Sequence, residues 1–279
     1  MIVWLASYPK SGNTWIRIFL STLLYSPAKP KVDINKTYIK QFPIRSDFNN
    51  LTNNLMDLDE FAKNCIPAQK KINQDNKIKF LKTHNAYWQN YEKNFFFTDE
   101  QNSLGAIHIV RDPRNVITSV MDYFNKDNYN ETLEFLTDNY KVVGGTNFES
   151  GVPTILLSWA NHYNSWKNFR KNYLLIKYEN LINKPQEEFL KITNYLSKIG
   201  NFKFNKKEVL EIVENCKFEN FSNQEKNEGF IDNSATNKNF KKKFFRMGPK
   251  NNWEDLVNSE IISKIETHFK KEMIELNYL

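Results

Sequence analysis

The chain opens on an unbroken apolar run, Ile2 to Ala6. A run this short, with no polar position to mark a wet face, predicts a strand buried on both sides. Turn-forming residues follow from Ser7 to Asn13, and from Thr14 to Tyr25 the period changes. Apolar residues at Trp15, Ile16, Ile18, Phe19, Leu23 and Leu24 make one face of a core-facing helix. Strand, small polar loop and helix in that order build an anion site at the helix N-terminus. Further strands are predicted at Ile78 to Lys82, Ala106 to Val110 and Tyr173 to Tyr178. Helices are predicted over about Leu55 to Asn64, Asn115 to Phe124, Thr154 to Asn172, Pro185 to Leu196, Lys206 to Asn215 and Ser259 to Glu275. Pro113 suits the opening turn of the second of these, where its missing N–H costs nothing. Residues 125–152 read as a polar excursion, and 217–252 as a basic loop that contains Lys241, Lys242 and Lys243.

Strands separated by helices predict an α/β fold of three layers, a central parallel sheet flanked by helices, in a single domain over residues 1–279. Ligands of such sheets bind beyond the carboxyl ends of the strands. Lys10, His84 and Arg111 each lie just past a predicted strand, so three strands point chemistry at one edge.

Composition narrows the class. Aromatics at 15% exclude a disordered chain, and 8 Gly with 9 Pro exclude low complexity. Two cysteines, Cys65 and Cys216, are too few for a disulfide framework. No apolar run approaches the roughly 20 residues that span a bilayer, and the start lacks the basic region of a signal peptide. A soluble cytoplasmic protein is expected. The net charge of +7 fits nucleic acid, a membrane surface or a phosphorylated small molecule, and equally a lysine-rich solvated face. Lysine supplies 33 of the 39 positive charges; the six arginines are Arg17, Arg45, Arg111, Arg114, Arg170 and Arg246. Their placement is the more telling, because a rigid fork of donors matches phosphate.

The first loop fails the G-x-x-x-x-G-K-[ST] pattern: Lys10 comes early and only Gly12 is present. Backbone N–H groups of Gly12 to Trp15, with the Ser11 and Thr14 hydroxyls, still suit a phosphate. From these residues alone, a phosphate cradle and an ordinary strand-to-helix turn are both open readings.

The arrangement Tyr8-Pro9-Lys10-Ser11-Gly12-Asn13-Thr14-Trp15 resembles the loop Y-P-K-S-G-T-T-W of the cytosolic-type sulfotransferase family, with Asn13 as the departure. In that family the loop binds the 5′-phosphosulfate of 3′-phosphoadenosine 5′-phosphosulfate (PAPS), whose product is PAP, on a P-loop-like nucleotide-binding fold. The resemblance recurs along the chain. Lys82-Thr83-His84 is similar to the family's K-T-H, whose histidine is the catalytic base. Arg111-Asp112-Pro113-Arg114-Asn115-Val116 with Ser119 resembles R-D-P-R-D-V-x-x-S, whose first arginine and serine bind the 3′-phosphate. Phe244-Phe245-Arg246-Met247-Gly248 with Trp253 resembles F-x-R-K-G-x-x-G-D-W, with Met247 in place of lysine and Asn251-Asn252 in place of Gly-Asp. Tyr178 matches the tyrosine of Y-E-D-L, which approaches the adenine, and Trp15 and Phe218 match rings that stack on it.

The resemblance implies sulfuryl transfer by in-line displacement from PAPS to a hydroxyl or amine of a small-molecule, glycan or lipid acceptor. It implies His84 as general base and Lys10, Lys82 and Ser119 as further catalytic groups, with Ser119 restraining Lys10 until the acceptor arrives. No metal, nucleic acid or membrane partner is implied. An imidazole at a strand end is also, on its own chemistry, suited to take a proton near pH 7. A P-loop-like kinase and a basic nucleic-acid-binding protein are the rival readings. The acceptor walls are expected from parts of 26–75, 85–97 and 125–152, whose aromatics Tyr87, Trp88, Phe95, Phe96 and Phe97 fit a sugar, a phenol or plain core. The family's C-terminal dimer segment is not recognisable, so the oligomeric state stays open.

Overall fold

The computed structural model describes residues 1–26, 32–144, 152–231 and 243–279. In it, β1 (Ile2–Ser7) passes through a tight loop into α1 (Asn13–Tyr25). β2 (Lys40–Gln41), α2 (Leu58–Ile72) and β3 (Lys79–Thr83) follow, then the hairpin of β4 (Gln89–Asn90) and β5 (Phe95–Phe96). β6 (Ser103–Val110) leads into α3 (Pro113–Tyr123) and α4 (Tyr129–Thr137); β7 (Val142–Val143) pairs with β8 (Thr154–Ile155) ahead of α5 (Trp159–Lys167). β9 (Tyr173–Lys177) runs directly into α6 (Tyr178–Asn183), followed by α7 (Pro185–Gly200), α8 (Lys206–Asn215) and α9 (Phe218–Glu228). The chain closes with α10 (Trp253–Leu256), α11 (Ser259–His268) and α12 (Lys270–Glu275).

The central sheet has the order β2-β3-β1-β6-β9 and all its pairings are parallel. β1 explains its own sequence. Val3 and Leu5 face a core shared with α1, α7 and α8, while Ile2, Trp4 and Ala6 face a second core with Phe42, Phe61 and Trp166. With both faces covered, Ile2 to Ala6 have no exposed surface, as an uninterrupted apolar strand requires. The α/β, three-layer arrangement is the predicted one.

Several boundaries move for local reasons. The helix near Leu55 to Asn64 begins at Leu58, capped by Asp57, and continues through Pro67 to Ile72. The predicted helix over Thr154 to Asn172 is wrong at both ends. Thr154 and Ile155 pair with β7, Leu157 turns at φ +60°, and Ser158 caps a helix that ends at Lys167. The excursion 125–152 contains α4, whose Asn128 cap begins it, and residues 145–151 of it lie outside those described. The reading of 217–252 as loop misses α9, which is polar apart from Phe218 and Phe221. It is held by Gln224, which accepts from the Ile34 N–H and donates to the Val32 carbonyl. Lys241 and Lys242 lie outside the described residues. The final helix breaks at Phe269 into two. Among the described residues, no helix is long and apolar enough to cross a membrane.

Candidate active site at the carboxyl edge of the sheet

The loops after β1, β3 and β6 meet, with α6, α9 and the 243–251 segment, around a cavity of about 490 Å³. Its lining includes Lys10, Gly12, Asn13, Thr14, Trp15, Lys82, His84, Arg111, Ser119, Tyr178, Phe218, Arg246, Met247 and Gly248. Residues scattered over most of the sequence are thus brought to one place. Ser11 is the exception: it is buried beneath the loop, and its hydroxyl has no partner.

The loop geometry follows from two residues with positive φ. Gly12 at φ +97° starts α1, and a Cβ there would stand 2.5 Å from the Tyr178 ring, so only glycine fits. Lys10 takes φ +66° without being glycine, a conformation the surrounding contacts must hold. Asn13 turns its amide nitrogen to the sheet, donating to the Leu5 carbonyl (2.9 Å) and Ser7 Oγ (3.2 Å). Among the described residues, no side chain caps α1, whereas Asp57, Asp112, Asn128 and Ser158 cap other helices. The Trp15 N–H is taken by the Gly12 carbonyl (3.1 Å), and the uncapped opening of the helix ahead of it suits an anion in the cavity.

Two histidines are fixed in turn from this loop. His84 Nδ1 lies 2.8 Å from the Ser7 carbonyl oxygen, which only accepts, so Nδ1 carries the proton and Nε2 has a bare lone pair. Burial, then the nearby Lys82, hold its pKa well below the usual imidazole value, keeping the ring neutral. His162 Nε2 donates to the His84 carbonyl (3.2 Å), bracing the same turn from α5. His162 and His108 are buried structural histidines, and His108 bonds the Tyr173 hydroxyl.

The cationic groups are arranged by aromatic faces. The Lys10 ammonium lies 4.1 Å from the Phe244 ring centre and 4.7 Å from that of Tyr123. Burial, and then the charges of Arg111 and Lys82, pull its pKa down to about 7, against the opposing pull of Glu225. The Arg111 guanidinium lies over the Tyr178 ring and donates through Nη1 to the Lys10 carbonyl (2.9 Å) and Ser119 Oγ (3.4 Å). Its Nε is buried with no partner. Lys82 Nζ donates to Gln41 Oε1 (3.3 Å). Arg246 pairs with Asp122 across the cavity mouth. Gly248 has φ +51°, and a Cβ on it would meet the Phe218 ring at 2.4 Å. Ser119 Oγ accepts from Arg111 and Asn251 (3.2 Å), while the Lys10 ammonium lies against the two rings.

Arg114, second arginine of the same motif, stays outside the cavity. It forks onto Asp112, pairs with Glu266 (2.6 Å), donates to the Tyr278 carbonyl (2.7 Å) and stacks on Trp253. The expected acceptor wall from 85–97 is also displaced. Trp88 and Phe97 pack with Phe61, Trp4 and Trp166, Tyr87 packs on Trp166, and none of the five aromatics lines the cavity. Gln41, Ile44, Val143, Gly144, Val152, Thr154 and Leu156 occupy that side instead. Sequence reasoning missed Ser7 and Glu225, ordinary polar residues with no motif to mark them, and Asn251, marked as a departure from its motif, proves to be bonded to Ser119. Among the described residues no cluster has the makings of a metal site.

The same fold and sequence pattern occur in known proteins. The family described as the sulfotransferase domain matches residues 2–277. Cytosolic sulfotransferase 5 of Arabidopsis thaliana is 21% identical over 271 residues, covering 94% of this chain and 76% of its own length. The amine sulfotransferase of Oryctolagus cuniculus is 23% identical over 281 residues, covering 97% and 80%. A mouse sulfotransferase, crystallised as a complex with PAP, superposes with a TM-score of 0.60 at 19% identity, over 98% of this chain and 83% of its own.

Proposed function

The chain belongs to the sulfotransferase domain family, and we propose that it transfers a sulfuryl group from PAPS to a hydroxyl or amine of a small molecule. The observation that carries the reading is the tautomer of His84. The Ser7 carbonyl holds the Nδ1 proton and leaves Nε2 as a base on the cavity that Lys10, Arg111 and Ser119 also line.

The donor site fits the residues present. The uncapped start of α1 and the partnerless Arg111 Nε are buried donors suited to an anion. The loop from Lys10 to Thr14 holds the 5′-phosphosulfate. Arg111, Ser119, Arg246, Met247 and Gly248 hold the 3′-phosphate. Tyr178, Trp15 and Phe218 border the base. His84 Nε2 takes the acceptor's proton as its oxygen or nitrogen bonds to sulfur and the sulfur–oxygen bond to the nucleotide breaks. Negative charge collects on the departing phosphate oxygen, where the cations Lys10 and Lys82 and the loop N–H groups offset it. The names of relatives that include a flavonol 3-sulfotransferase and an amine sulfotransferase support a small acceptor.

The test has two stages. PAP at 100 times its Kd should raise stability by about 2.7 kcal/mol in a thermal melt, whereas ATP and an oligonucleotide should not. Labelled PAPS is then incubated with phenols, amines, glycans and lipids. Protection by ATP or DNA without PAP refutes the reading, and label on glycan or lipid alone corrects the acceptor.

A further inference from the structure

Asn251 stands where the family pattern has glycine, and it is buried at 8% exposure between the 243–251 segment and α3. Its Nδ2 donates to the Asn115 carbonyl (3.0 Å) and to Ser119 Oγ (3.2 Å), and its Oδ1 accepts from Thr118 Oγ1 (2.6 Å). A carbonyl cannot donate, so the contact with Asn115 fixes which end of the amide is nitrogen.

A serine inside a helix ordinarily turns its proton back to the carbonyl four residues earlier. For Ser119 that carbonyl is Asn115, which already receives the Ser119 backbone N–H within α3 and the side-chain Nδ2 of Asn251. Both acceptor directions of Ser119 Oγ are also filled, one by Asn251 and one by Arg111 Nη1. The hydroxyl proton is then left the Val116 carbonyl or the cavity that Ser119 borders, and of these only the cavity can offer it an anion.

We propose that Asn251 is a positioning residue that commits the Ser119 hydroxyl to donate to a phosphate oxygen in the cavity. The inference rests on the reading that Arg111 and Ser119 hold the 3′-phosphate, and it adds a residue that departs from the family pattern. The amide does at the Ser119 end what Ser7 does for His84: it fills competing positions. An aspartate there cannot donate to Ser119 and accepts its proton instead.

Titration calorimetry of the full chain with PAP and with adenosine 5′-phosphate, which lacks the 3′-phosphate, tests this. Asn251→Asp is expected to weaken PAP by tenfold or more and to leave adenosine 5′-phosphate within twofold. Ser119→Ala should weaken PAP similarly, and the double variant should lose no more than the worse single one. Asn251→Ala, which removes the donor without adding a charge, should fall between wild type and Asn251→Asp and serves if the aspartate does not fold. Equal losses for both nucleotides, or fully additive losses in the double variant, overturn the role of Asn251. A wild-type protein with no preference for PAP over adenosine 5′-phosphate overturns the 3′-phosphate reading beneath it.

Discussion

The guanidinium carbon of Arg111 lies 4.2 Å from the centre of the Tyr178 ring, and that same ring stands 2.5 Å from where a Cβ on Gly12 would be. One tyrosine therefore couples the loop after β1 to the loop after β6. Arg111→Lys keeps the charge but loses the planar stack and the fork that reaches Lys10 and Ser119. PAP affinity should fall roughly tenfold or more, about 1.4 kcal/mol. Calorimetry checks this, and unchanged affinity would show that the fork is idle.

Gly12→Ala attacks the same contact from below. The positive φ and the collision with Tyr178 together should cost about 1–3 kcal/mol of stability, read as a lower melting temperature. PAP should protect the variant less than wild type. A variant as stable as wild type would mean that the loop relaxes.

His84→Ala should lower kcat by roughly 10²–10⁴-fold with PAP affinity unchanged, the mark of a general base. The sign of its pKa shift sets the acid limb. A depressed pKa keeps the imidazole neutral below 6.5, so activity should hold as pH falls through 6.5 and drop only at lower pH. A kcat/KM profile already halved at pH 6.5 would contradict a depressed pKa in the free protein.

Lys10 titrates near pH 7 in the free protein, charged below and neutral above. Phosphate beside it favours the charged form, so PAP binding between pH 7 and 9 should take up a proton and weaken as pH rises. Calorimetry in buffers of different ionisation enthalpy measures the uptake, and Lys10→Met should abolish it. Uptake that persists in Lys10→Met assigns the proton elsewhere.

Glu225 is a buried carboxylate whose two oxygens accept from the N–H groups of Phe244 (2.6 Å) and Phe245 (2.8 Å). Glu225→Gln leaves one of them facing an amide N–H₂ and should destabilise by about 1–3 kcal/mol. Because Phe244 covers Lys10, PAP affinity should fall with it. A Tm within a degree of wild type would show that other contacts hold the segment.

The long parallel strands were legible because burial on both faces leaves an unbroken apolar run, as at Ile2 to Ala6. So were Lys10, His84 and Arg111, because each follows such a strand. β2 was invisible: Lys40 and Gln41 are polar, and they pair with β3 only because the sheet is already there. α9 was invisible because Gln224 and Glu225 attach it through hydrogen bonds, which leave no periodic trace. The family motif singled out Arg111, but what holds Arg114 to the scaffold, Glu266 and Tyr278 far along the chain, left no trace in it.

Those partners of Arg114 lie 152 and 164 residues further along the chain. On a ribosome, β1, α1, β3, β6 and α3 emerge while the arginine has only Asp112 beside it. The carbonyl of Tyr278 arrives 164 residues after Arg114, and with it the tyrosine hydroxyl that bonds Glu179. Synthesis therefore delivers the paired strands of the sheet well before the contacts that fasten the Arg114 turn to them.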